Sequence, residues 1–169
     1  YPIWDEGLKL GHAVRTIKEA MALASDDLET ATALLSTRLV AGNATMAAEL
    51  AEKATALWRK RAKRFLGELS RSVKGRHERA GEVAYLLEPD LKEGRGGLRD
   101  VHAIHWAEDA QSVIFEGDEV TLGEAYDRLL SARVELHRLT GRPGDRLSLE
   151  DQDAVAAALG YDDADAMMR

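Results

Sequence analysis

Three glycines within four positions, Gly94, Gly96 and Gly97, stand directly before a stretch of helical spacing in Lys92-Glu93-Gly94-Arg95-Gly96-Gly97-Leu98-Arg99-Asp100. Glycine admits tight turns and close backbone approach, so the N–H groups of such a loop and of the first helical turn can point at one place. The helix N-terminus adds about half a positive charge there, and Lys92, Arg95 and Arg99 surround it. That place favours an anion, and a nucleotide phosphate is a sensible occupant. The spacing is neither GxxxxGK[ST] nor GxGxxG after a strand. The residues alone therefore leave a second reading equally open, in which the glycines only make a turn and Asp100 is a first-turn charge stabilising the helix dipole.

Other residues could carry chemistry but are less organised. His102 and His105 lie three apart on one helix and, with His137, have the right type for a metal, yet neither a cysteine nor a well-placed carboxylate completes four ligands. Packing or surface roles are preferred for them. The chain has no cysteine, which excludes disulfides, thiolate nucleophiles and cysteine-ligated zinc. Nine Lys or Arg between Arg59 and Arg79 face only Glu68 and Glu78, an excess of seven in a chain of net charge -7. This patch could guide an acidic partner or a nucleotide, although a solvated helix face is the simpler reading. The overall negative charge argues against a nucleic-acid binder.

The elements that must position these residues are helices. Of 169 residues, 45% are hydrophobic but only 5% aromatic, and alanine, leucine and charged residues dominate. The fold class is mainly α: a bundle of six or seven helices, with room for one strand near the start, where residues 8–15 alternate loosely. Thr16 with Glu19 has capping-box spacing for a helix to about Ala24. Ser25, Asp26 and Asp27 offer a cap for a second helix to about Val40, with Gly42 as its left-handed end. Asn43 can cap the longest helix, whose stripe runs through Met46, Leu50, Ala54, Leu57, Trp58, Phe65 and Leu69 and which ends between Lys74 and Gly81. Pro89 keeps Ala84 to Leu91 out of helix. Further helices are predicted from Leu98 to about Val113, from a Thr121/Glu124 box to about Leu139, and from a Ser148/Asp151 box to Leu159. No run approaches the ~20 apolar residues of a membrane span and no signal peptide pattern opens the chain, so a soluble, cytoplasmic protein is expected.

Leu87 to Trp106, LEPDLKEGRGGLRDVHAIHW, resembles over its whole length the signature of the PII-protein uridylyltransferases, which typically has proline where this chain has Arg95. The likeness extends to WDEGLKLGHAVRT, TALLSTRLVAGN, RHERAG and GDRLSLEDQ, and so covers nearly the whole chain. Glutamine synthetase adenylyltransferases share the arrangement more distantly. The resemblance implies residues 1–15 as the last strand of a nucleotidyltransferase domain and residues 16–169 as the helical region after it. It implies transfer of UMP, or AMP, from UTP or ATP to a tyrosine of the PII signal protein, with Mg2+ as cofactor and no nucleic acid or membrane as partner.

The family holds its metals on an Asp-x-Asp pair and a third carboxylate. In the family that pair follows a Gly-Ser or Gly-Tyr-Gly turn, and no Asp-x-Asp so placed occurs in this sequence; Asp5 is the candidate third, and two metals need more oxygens than one aspartate offers. Because the chain opens on Tyr1, it is expected to be a piece of a longer protein and inactive alone. Lys92, Gly94, Gly96, Gly97 and Arg99 are implied as one wall of the nucleotide or PII site, with Asp100 ordering the loop. Arg15 is a candidate phosphate contact, or else a strand-end arginine paired with an acid. Arg95 in place of proline is expected to loosen the turn. No His-Asp dyad occurs in the sequence, so the family's uridylyl-removing phosphohydrolase is expected to lie outside this chain. The alternative from another class is a non-catalytic helical module that binds a protein partner.

Overall fold

Helix caps written into the sequence set the first half of the fold. The structure, a computed structural model, describes residues 5–7, 10–110 and 118–168. Thr16 and Glu19 close the capping box: the Glu19 N–H donates to Thr16 Oγ1 at 3.2 Å and the Thr16 N–H to Glu19 Oε2 at 2.8 Å, opening α1 (Ile17–Asp26). Asp27 caps α2 (Leu28–Leu35) by accepting the Thr30 N–H at 2.7 Å, and Asn43 caps α3 (Ala44–Lys60) by accepting the Met46 N–H at 3.0 Å. α2 stops at Leu35 rather than near Val40, because the Ser36 and Thr37 N–H groups turn back onto the Ala33 and Leu34 carbonyls and the Thr37 hydroxyl also donates to Leu34. α1, α2 and α3 pack on one another, burying Ala20, Ala24, Ala31 and Ala54. Small side chains let these short helices approach closely.

The long helix expected from Asn43 is two. Arg61, at φ -108° and ψ 17°, leaves helical geometry between α3 and α4 (Ala62–Ala80). Five of the six positions from Arg59 to Arg64 are Lys or Arg, so cations meet cations at i,i+4 where a helix gains from opposite charges. The break coincides with the border of two compact units, residues 1–60 and 61–169.

In the second unit, α4 is followed by an irregular segment, then α5 (Leu98–Asp109), α6 (Asp118–Thr140), α7 (Leu149–Ala158) and α8 (Ala164–Met168). α4 packs on α5, α5 on α6, α6 on α7, and α7 on α8. Leu91, Ala132, Leu136, Leu147 and Val155 form the buried core, with Leu129, Leu159 and Met167 against it. Each fully buried aliphatic side chain contributes about 1.5–3 kcal/mol here. α6 begins one turn before Thr121, so Thr121 and Glu124 are interior and form no cap. At α7 the Ser148 hydroxyl donates to Asp151 Oδ2, while the Leu149 N–H is taken from afar by Glu88 Oε1 at 3.2 Å.

The chain is mainly α, with eight helices among the described residues. Of the strand allowed over residues 8–15, residues 8 and 9 lie outside the described residues and the rest forms no strand. Residues 10–15 have no regular structure and are exposed, and Asp5 lies in a helical turn. A strand needs a neighbour for its N–H and C=O groups, and among the described residues only two isolated bridges occur, Glu82 with Arg95 and Asp90 with Arg146.

Candidate functional site

Every backbone N–H from Leu91 to Asp100 has an acceptor inside the protein. Asp90 Oδ1 accepts from Lys92 and Glu93, and the Asp90 carbonyl accepts from Gly94. Leu91 donates to Asp145 O, Arg95 to Gly81 O, Gly97 to Gly94 O, Leu98 to Leu91 O, Arg99 to Lys92 O and Asp100 to Gly97 O. Gly96 donates to Asp100 Oδ2 at 2.8 Å. The loop is therefore a closed block of hydrogen bonds, and the N–H groups expected to face a phosphate are already used. The anion at the loop is the protein's own Asp100.

The glycines serve that closure. A Cβ on Gly97 would lie 2.9 Å from the Gly94 and Leu91 carbonyl oxygens, and one on Gly94 would lie 2.7 Å from Asp90 O. Gly96 has φ +84°, the left-handed region that favours glycine. Arg95 tightens the turn rather than loosening it: its N–H donates to Gly81 O at 2.8 Å while its carbonyl accepts from Val83 at 2.9 Å, and proline could not make the first bond.

α4 supplies what sequence reasoning missed. Arg76 donates through Nη1 to Glu93 O at 3.0 Å and through Nη2 to Asp100 Oδ1 at 2.5 Å. His77 Nε2 lies 2.9 Å from both Asp100 oxygens. A His–Asp pair thus exists in space, although none is adjacent in sequence. Burial alone would raise the Asp100 carboxyl, but the Gly96 N–H, then His77 and Arg76, outweigh it and hold it below the ordinary range. An ionised carboxylate only accepts, so His77 Nε2 carries the hydrogen.

Lys92 and Arg99 stand on the rim of this block, their side chains 33% and 44% exposed. Lys92 Nζ is 3.4 Å from Asp145 and 3.6 Å from Glu93, and Arg99 Nε is 3.6 Å from Glu93. Arg133 also binds Asp145, at 2.6 Å. Burial would raise the Asp145 carboxyl; Arg133 foremost, and Lys92 after it, bring it below its usual value. Pairs this exposed and this long are weak, so the Lys92 and Arg99 charges can be redirected to a ligand at small cost.

Beside the block opens a cavity of about 830 Å³ between α5, α6 and the segment after α4. Its walls are mostly apolar, with Ile104, Leu122 and Leu129 among them, and His77, Arg95, Gly96 and Asp100 form a polar end.

Residues 64–169 match the family model described as GlnD PII-uridylyltransferase. The bifunctional uridylyltransferase/uridylyl-removing enzyme of Streptomyces coelicolor is 46% identical over 169 residues, which is 100% of this chain and 20% of that protein. The chain belongs to the GlnD PII-uridylyltransferase family. A second relative of the same name, from Mycobacterium tuberculosis, is 39% identical over 96% of this chain and 21% of its own length, and one from Bradyrhizobium is 37% identical over 95% and 19%. The chain thus spans about a fifth of the length of these relatives. No solved structure matches it.

The stretch that matches the GlnD family contains all but the first two residues of α4, together with the glycine block and Asp145. Asp5 and Arg15 belong to the other unit. Both are exposed; Arg15 stands beside Glu19, whose carboxyl is held below its ordinary range by the Thr16 N–H foremost and by the Arg15 charge least. Among the described residues no three His, Cys, Asp or Glu gather to hold a metal, so these residues do not by themselves make up a Mg2+ site.

The histidines have other surroundings. His102 packs against Trp106 and Tyr126 at centroid distances of 6.0 and 5.6 Å, and burial, with the charges of Arg99 and His105, lowers its pKa. His105 pairs with Glu108 at 3.2 Å, and His137 rests on the Gly144 backbone. Among the described residues no helix is long and apolar enough to cross a membrane.

Proposed function

We propose that this chain is a helical segment of a bifunctional uridylyltransferase/uridylyl-removing enzyme of nitrogen regulation. In that reading the tyrosine hydroxyl of a PII signal protein attacks the α-phosphate of UTP or ATP and pyrophosphate leaves. Residues 1–15 close the nucleotidyltransferase domain, 16–169 form the helical region after it, and the setting is cytoplasmic. The observation that carries the reading is the closed glycine block, which lies entirely inside the family match and presents Lys92 and Arg99 at its surface.

The block is one wall of the nucleotide or PII site. It acts through the Lys92 and Arg99 side chains, because the N–H groups of Gly94, Gly96 and Gly97 are spent within the protein and Asp100 is the internal anion that spends one of them. The metals sit mainly on carboxylates outside this chain, with Asp5 as the third. No catalytic step is assigned to a metal on this segment.

The full-length enzyme carrying this segment should transfer label from UTP or ATP to purified PII protein and should also remove it, and the 169-residue chain alone should do neither. Transfer by the isolated chain would overturn its proposed incompleteness; silence of the full-length enzyme would overturn the enzyme reading. The apolar cavity favours, in that second case, a helical module that binds a protein partner without chemistry. The named relatives favour uridylyl transfer over a glutamine synthetase adenylyltransferase.

A further inference from the structure

We propose that Arg76 and His77 are positioning residues for uridylyl transfer, setting the spread of Lys92 and Arg99 from α4; the inference rests on the function proposed above. Arg76 grips both ends of the glycine loop at once, through Glu93 O and Asp100 Oδ1. Its side chain is only 11% exposed, so the grip is shielded from water. Its Nε also lies 4.0 Å from the Glu93 carboxylate, which is 3.6 Å from both Lys92 Nζ and Arg99 Nε. Glu93 is thus the hub between the two rim cations, and Arg76 holds that hub by its carbonyl and, more loosely, by its carboxylate.

The planar guanidinium sets the distance between the two acceptors, whereas a lysine ammonium, a point charge on a flexible stem, can favour one and release the other. His77 completes the device. Its Nε2–H, shared between the two oxygens of Asp100, fixes the rotation of the carboxylate that binds Gly96 N–H. Catalytic and binding side chains tolerate only small errors of position, so a supporting residue that touches no substrate can govern rate.

The test uses the full-length enzyme with Arg76→Lys, His77→Gln and His77→Leu, assaying transfer to PII, removal from it, and hydrogen exchange of residues 90–101. Arg76→Lys should lower kcat/KM for transfer by roughly ten- to a hundredfold, leave removal within about twofold, and speed exchange in 90–101 alone. His77→Gln, which keeps a donor, should retain most of the transfer that His77→Leu loses. Transfer at the wild-type rate in Arg76→Lys, or transfer and removal falling in proportion with exchange rising throughout the chain, would overturn the inference. If Arg76→Lys does not fold, the histidine pair decides, and equal transfer by His77→Gln and His77→Leu overturns it. A wild-type enzyme that never modifies PII removes the function reading itself, and the inference with it.

Discussion

The Gly96 N–H donates to Asp100 Oδ2 at 2.8 Å, four residues along the chain. The pair turns a loop that could have cradled a phosphate into one that binds its own carboxylate. Asp100→Asn keeps the shape but replaces one accepting oxygen by an NH2 facing donors. The partly buried Arg76 is then left poorly paired, and the chain should lose about 1–3 kcal/mol of stability, measured by urea unfolding.

The same carboxylate gives the pH dependence its sign. Asp100 and Asp145 are held below the ordinary value of 3.8, so near that value the unfolded chain binds more protons than the folded one. Stability rises with pH through that window. It should be fully present above about pH 5 and fall progressively as pH drops below the ordinary carboxylate range and through the lowered folded values. In urea unfolding at pH 5 and pH 3, Asp100→Asn should show the shallower fall; equal slopes would remove Asp100 as a source.

The glycines should respond differently to alanine. At Gly97 the added Cβ would meet three backbone oxygens, those of Gly94 and Leu91 at 2.9 Å and of Lys92 at 3.0 Å, none at the end of a flexible side chain. At Gly96 the space is open and only the positive φ is strained. Gly96→Ala should cost about 1–2 kcal/mol. Gly97→Ala should cost more, about 3 kcal/mol, and thermal unfolding of the two variants ranks them directly.

In the first unit the capping box offers a local check. Thr16→Ala removes the acceptor for the Glu19 N–H and the hydroxyl that donates to Glu19 Oε2, leaving only the backbone N–H on that carboxylate, and should cost about 1 kcal/mol. Circular dichroism through a thermal transition measures it.

How far these features could be read in the sequence depends on distance along the chain. The boxes and caps of Thr16, Asp27 and Asn43 were legible because acceptor and donor lie three residues apart. The early stop of α2 turns on the Thr37 hydroxyl, which competes with the helix in a way that apolar spacing does not record. The break at Arg61 was hidden by an apolar stripe that runs on through it. The glycine motif was legible as a special loop but not in its chemistry: Gly81, which takes the Arg95 N–H, and Arg76, which holds Asp100, come from the end of α4, 14 and 24 positions away along the chain. Only the fold brings Arg76 and His77, two residues within what looked like a run of surface charge, onto Asp100.

In the proposed function the glycine block is a rigid wall that acts through its rim cations. Arg99→Ala in the full-length enzyme tests it most directly, because Arg99 is 44% exposed and its contact with Glu93 is long. Transfer of the nucleotidyl group to PII should fall by about tenfold or more while removal stays within about twofold; unchanged transfer, or an equal loss of both activities, would contradict the claim.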